Sequence, residues 1–201
     1  MLQFWVCKKT CVRVYVMAAS LGLLAFVTPM TATSNTPQEQ PLLQFSDLGY
    51  AGAFRLPSTW QGDTFEFAGR AMAYNPARNS LFISSRAGNV AEVSIPTPAI
   101  TSNVNEMSFA SYLQGFRDPT EGHFREIAAD GAALSGLYVH GDRLYGTGSI
   151  FYDAMNSQVV SHFSHSTELS QPSFIGMSQV WETGKAGYVS GYMASIPSEW
   201  Q

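Results

Sequence analysis

An all-β chain built from repeated antiparallel units is predicted, on three observations. Helical periodicity is scarce after residue 45, and short apolar or alternating runs are bounded by Gly, Pro, Asn and Asp. Strand exits of the form apolar residue then proline recur as FRLP (54–57), VSIP (93–96) and ASIP (194–197), at places where a missing ladder donor is tolerated. Two of those prolines are the second residues of related hexapeptides, LPSTWQ at 56–61 and IPSEWQ at 196–201, and Pro57 and Pro96 stand 39 residues apart, near the ~40–45 of a four-stranded propeller blade.

The elements follow in chain order. Residues 1–32 have the three parts of a secretory signal peptide: a positive flank with Lys8, Lys9 and Arg13, an apolar run at 14–27, and a small-residue exit ending at Ala32. The run falls short of the ~20 residues of a bilayer-spanning helix, so no stable membrane span is expected after cleavage. Export places the product in the periplasm or outside the cell. Both cysteines, Cys7 and Cys11, precede the apolar run, which leaves the mature chain without disulfides or cysteine-ligated zinc. Cleavage also lowers the eleven Lys+Arg to eight while all fifteen Asp+Glu remain, a net charge of −7 that repels nucleic acid.

Residues 33–45, TSNTPQEQPLLQF, read as a flexible leader, and 46–201 as the folded domain. Its clearest unit is 64–96, where the runs AMAY, SLFISS and VAEVSI are separated by NPARN and RAGN. Pro76 fixes φ in the first turn, and Asn79, Gly88 and Asn89 can take positive φ, so a three-stranded meander is expected. A second unit at 134–165 repeats the order as GLYV, RLYGTG and QVVSHF, with HGD and DAMNS as turns; Leu144 takes the place after its turn that Leu81 takes in the first unit. Between them, 97–133 is read as an insertion in which SFASYLQGF forms a short helix. A third apolar stretch, SFIGMSQVW, follows the second unit.

On these residues, AMAYNPARNSLFISS with VAEVSIP, and GLYVHGDRLYGTGSIFYDA, the chain resembles a blade of secreted bacterial β-propeller proteins, loosely related to phytase-like and gluconolactonase-like propellers. The resemblance covers about 64–96 and 134–165 and is nearest to uncharacterised secreted members. It implies a radial array of four-stranded antiparallel blades with ligands at the central channel. About three blades are expected, with the array truncated at the C-terminus and completed by missing blades or by oligomerisation, since an open ring leaves a pairable sheet edge. A β-sandwich is the alternative fold.

The richest polar segment is 117–126, RDPTEGHFRE. Glu121, His123 and Arg125 are the candidates for acid–base work, and Asp118 and Glu121 for Ca2+, because proton transfer needs positioned carriers and hard cations need several oxygens. His162 and His165 stand three apart in a strand and therefore point to opposite faces. Trp60, Trp181 and Trp200, with tyrosines 138, 145, 152, 188 and 192, offer stacking faces for a sugar. No G-x-S-x-G, P-loop, H-E-x-x-H or complete G-x-G-x-x-G occurs. The expected role is binding or scaffolding, with a small molecule or a protein as partner; a calcium-dependent hydrolase of phosphate or lactone esters and a carbohydrate-binding β-sandwich module are the alternatives.

Overall fold

The computed structural model describes residues 2–7, 41–67, 70–128, 131–180 and 186–198. The predicted apolar run at 14–27, the cleavage region near Ala32, most of the leader, and Trp181 and Trp200 lie outside the described residues. Leu2–Cys7, within the segment read as a signal peptide, forms strand β1 and pairs antiparallel with β2 (Leu48–Phe54). Ahead of β2, Phe45–Asp47 makes a 3-10 turn whose entry is held by Gln44 N–H on Asp47 Oδ2 at 3.0 Å.

The rest is mostly strand, in two antiparallel four-stranded sheets. The first contains β3 (Met72–Asn75), β4 (Ser80–Ser84), β5 (Val90–Ser94) and β6 (Tyr112–Arg117); the second contains β7 (Ala132–His140), β8 (Arg143–Ile150), β9 (Val160–Ser166) and β10 (Ile175–Gln179). In both, spatial order follows sequence order, and β3 packs beside β7, first strand against first strand. The turn residues do what their chemistry allows: Asn79, Gly88 and Gly141 take φ of +49°, +91° and +59° between their strands.

Two sequence expectations are corrected. SFASYLQGF is not helical: its second half is β6, the fourth strand of the first sheet, so 97–133 is only partly an insertion. The open edge of β5 needs a partner, Gly115 is a poor helix residue, and Tyr112 and Phe116 must share a face with Phe65, whose ring lies 5.8 and 4.7 Å from theirs. Trp60 closes that cluster, lying over Gly115 so closely that a Cβ there would stand 2.1 Å from the indole nitrogen. Likewise, ASIP at 194–197 is irregular chain rather than a strand exit, while the apolar stretch SFIGMSQVW supplies β10, the fourth strand of the second sheet. No closed ring or barrel is formed among the described residues.

The core is layered. On one face of the first sheet, Ala73, Phe82 and Val90 meet Leu134, Leu137, Leu144 and Phe163 of the second sheet. On its other face, Leu81, Ile83 and Val93 meet Phe54 and Ala110. Phe54 is delivered there by paired bonds from Ala53 to Ala99 and from Arg55 to Ser108 and Ala110, at 2.8 to 3.0 Å. At Gly52, φ is +119° and a Cβ would stand 2.9 Å from Pro98, so glycine lets this strand approach. The second sheet is different: its far face carries Gly136, Tyr145, Thr147 and His162, crossed by residues 186–198 through Thr147 Oγ1 and Gly191 N–H at 3.0 Å.

Candidate functional site

The 117–126 loop follows β6. Asp118 folds it: Oδ1 accepts Thr120 N–H at 2.8 Å and Thr120 Oγ–H at 2.7 Å, and Oδ2 accepts Gly122 N–H at 2.8 Å. The turn carries Glu121 at φ +51° and Gly122 at +89°, which aims the Glu121 side chain at the β9–β10 connection. There Oε1 accepts Ser173 N–H at 2.6 Å and Phe174 N–H at 2.9 Å. Those two donors, Phe174 first and Ser173 second, hold the Glu121 carboxyl below its ordinary range, helped by His165 and His123 and opposed by desolvation.

His165 is the partner that the sequence did not assign to this loop. It is buried, its Nδ1 donates to the Ser166 carbonyl at 2.8 Å, and its Nε2 lies 3.4 Å from Glu121 Oε1. His162, paired with Thr147, lies on the opposite face, as strand alternation requires; burial pushes its imidazole pKa down. His123 does not turn into the cleft: its ring stacks on Phe174 at 4.5 Å and 7°, and Nδ1 meets Glu126 Oε1 at 2.6 Å. Arg125 is exposed, away from the cleft-lining set.

Arg117, Asp118, Glu121 and His165 line a cleft of about 410 Å³ with residues 169–172. A neighbouring cleft of about 320 Å³ shares Arg117, Leu169 and Ser170 and reaches Arg78, Gln114 and Glu168. Behind its lining residues Arg78 and Gln114 stands Glu92, fully buried in β5, which accepts from Asn75 at 2.9 Å, Arg78 at 3.0 Å, Gln114 at 2.6 Å and Ser80. Arg78 also pairs with Glu168, and Gln114 bonds the Thr167 carbonyl and the Leu169 N–H at 2.8 Å each, so the buried carboxylate is part of the junction between the sheets. A lone glutamate in the apolar run VAEVSI was the signal for this network in the sequence.

The structure thus brings Asp118 and Glu121 to one cleft and leaves His123 and Arg125 outside it. Asp118 gives three of its four lone-pair sites to its own turn and Glu121 Oε1 accepts two N–H groups of the adjoining connection, so the two carboxylates alone supply far fewer oxygens than the roughly six to eight calcium takes. Among the described residues no group of three or more His, Cys, Asp or Glu is arranged to hold a metal, and no helix is long and apolar enough to cross a membrane. Comparison with known protein families, curated proteins and solved structures gives no match.

Proposed function

We propose that this chain is part of an exported β-propeller-like protein that binds or scaffolds outside the cytoplasm, each four-stranded sheet being one blade. The observation that carries the reading is an equivalence of layers. Leu81 and Leu144 are each the second residue of the second strand of their sheet, and each faces the layer that precedes it: Leu81 toward Phe54, and Leu144 toward Phe82 and Val90. Contiguous strand order in each sheet also favours blades over a β-sandwich, where Greek-key connections move the chain between sheets.

The test is the mass and structure of the product exported by the native host. A product beginning near residue 33 whose sheets continue around a common axis supports the proposal. A product that keeps residues 1–32, or whose two sheets close on each other as a sandwich, overturns it.

A second reading, a hydrolase, is favoured by one contact, the 3.4 Å approach of Glu121 to buried His165 beside Arg117. Hydrolysis of a chromogenic phosphate or lactone ester that is lost in Glu121→Gln, with the fold intact, supports it. Equal rates for both proteins remove Glu121 from any such role.

A further inference from the structure

Five large side chains in two neighbouring segments stand more than three-quarters exposed: Phe151, Tyr152 and Met155 on the β8–β9 loop, and Tyr188 and Tyr192 on the segment that follows β10. Single exposed apolar residues are ordinary, whereas a cluster marks a contact surface. The β8–β9 loop is held in place. Asp153 Oδ1 accepts Ser157 N–H at 2.8 Å and Ser157 Oγ–H at 2.9 Å, and Oδ2 accepts Gln158 N–H at 2.8 Å. The buried Gln158 amide donates to the carbonyls of Gly148 at 2.7 Å and Val160 at 3.0 Å and accepts Ile150 N–H at 3.0 Å. The second segment is tied to the same loop, by Ala186 N–H on the Gln158 carbonyl at 3.1 Å and by Tyr188 Oη–H on Asn156 Oδ1 at 3.0 Å.

Between the two segments lies a pocket of about 240 Å³ lined by Ile150, Phe151, Asp153, Asn156, Gly187 and Tyr188. Its size and chemistry narrow the ligand. Pockets for drug-sized molecules run to roughly 300–1,000 Å³, so this one takes a single ring. Aromatic side chains flank it, while the Asn156 Nδ2 donors and the remaining acceptor capacity of Asp153 Oδ2 supply hydrogen bonds. A pyranose has this duality, with C–H faces that lie on aromatic rings and a rim of hydroxyls. The Asp153 carboxylate in the lining disfavours an anionic sugar.

We propose that this pocket is a carbohydrate-binding subsite that seats one ring of a neutral polysaccharide against Phe151 and Tyr188. The proposal rests on the binding reading above and gives it a ligand class.

The experiment is retention of the full-length exported protein on insoluble starch, cellulose and chitin, with titration of the matching soluble hexasaccharide. Retention on at least one is expected. Tyr188→Ala and Phe151→Ala are each expected to weaken it about tenfold, the scale of one lost aromatic contact. Tyr188→Phe keeps the ring and loses the tie to Asn156, so it is expected to fall between wild type and Tyr188→Ala. Trp60→Ala, in the other sheet's aromatic cluster, leaves retention unchanged. Because Phe151 and Tyr188 are exposed, their variants fold, and unaltered melting curves check this.

Retention on none of the three matrices overturns the subsite, as does retention that both alanine variants preserve. A concentration-dependent mass that the same variants abolish shows a self-association face and overturns it too. All three outcomes leave the blade architecture and export untouched, since those stand or fall on the structure and N-terminus of the exported product.

Discussion

Phe82 and Tyr145 occupy the same place, the third residue of the second strand in their respective sheets, yet Phe82 is 0 % exposed and Tyr145 is 37 % exposed. The first sheet is an inner layer with apolar cores on both faces, so every residue of β4 is buried. The second sheet has one such face; the other carries Tyr145, Thr147 and His162 and is crossed by irregular chain. Equivalent topology therefore does not mean equivalent energetics. What decides a position's worth is whether a further layer covers it.

The sharpest way to break this comparison is to truncate both residues. Phe82→Ala is expected to destabilise by ~3–5 kcal/mol, and Tyr145→Ala by under ~1 kcal/mol, read as shifts in the urea midpoint at constant slope. Equal losses would mean that the second sheet's far face is covered in solution. Next come two glycines on opposite faces of the second sheet. A Cβ at Gly146 would stand 2.2 Å from the Phe163 ring, so Gly146→Ala is expected to lose ~1–3 kcal/mol by overpacking the shared core. A Cβ at Gly136 would meet the Gly191 carbonyl, so Gly136→Ala should displace the 186–198 segment and raise its proteolysis rate while leaving the core transition in place.

An effect of similar size probes the junction. Gln114→Ala removes bonds to Glu92, Thr167 and Leu169 and is expected to lose ~1–3 kcal/mol through donors and acceptors left unpaired. The smallest concerns Glu121. Its carboxyl lies below the ordinary value of 4.5, chiefly through the Phe174 and Ser173 N–H groups, so its stabilisation is present above that pH and is lost as pH falls through the folded-state value. Denaturant melts between pH 7 and pH 3 should show a shallower acid slope in Glu121→Gln than in wild type; identical slopes would mean the hook on the β9–β10 connection contributes nothing.

Much of the strand layout was legible because turn chemistry is local. Asn79, Gly88 and Gly141 announce their hairpins without knowledge of anything distant. The strand read as helix is one whose identity depends on neighbours: β6 has weak alternation and a glycine that matters only because Trp60 lies on it, while β10, a mostly exposed edge strand, showed only as an apolar stretch. The candidate site divides in the same way. The charged loop at 117–126 stands out in sequence, and Asp118 at the start of a turn is readable as its own cap. That His165 would meet Glu121, or that Glu92 would become the anchor of the sheet junction, depends on how the sheets dock, which no short window of residues encodes.

The strand order has a kinetic consequence. Within each four-stranded sheet every strand pairs with its neighbour in sequence, and apart from the connection between Ser94 and Tyr112 each step closes a short loop, the fast kind of folding event. Joining Glu92 and Gln114 to Thr167 and Leu169 requires closure across a much longer stretch of chain, for which the entropy is lost before any contact compensates it. The hairpins are therefore expected to form early, with the meeting of the two sheets as the slow step.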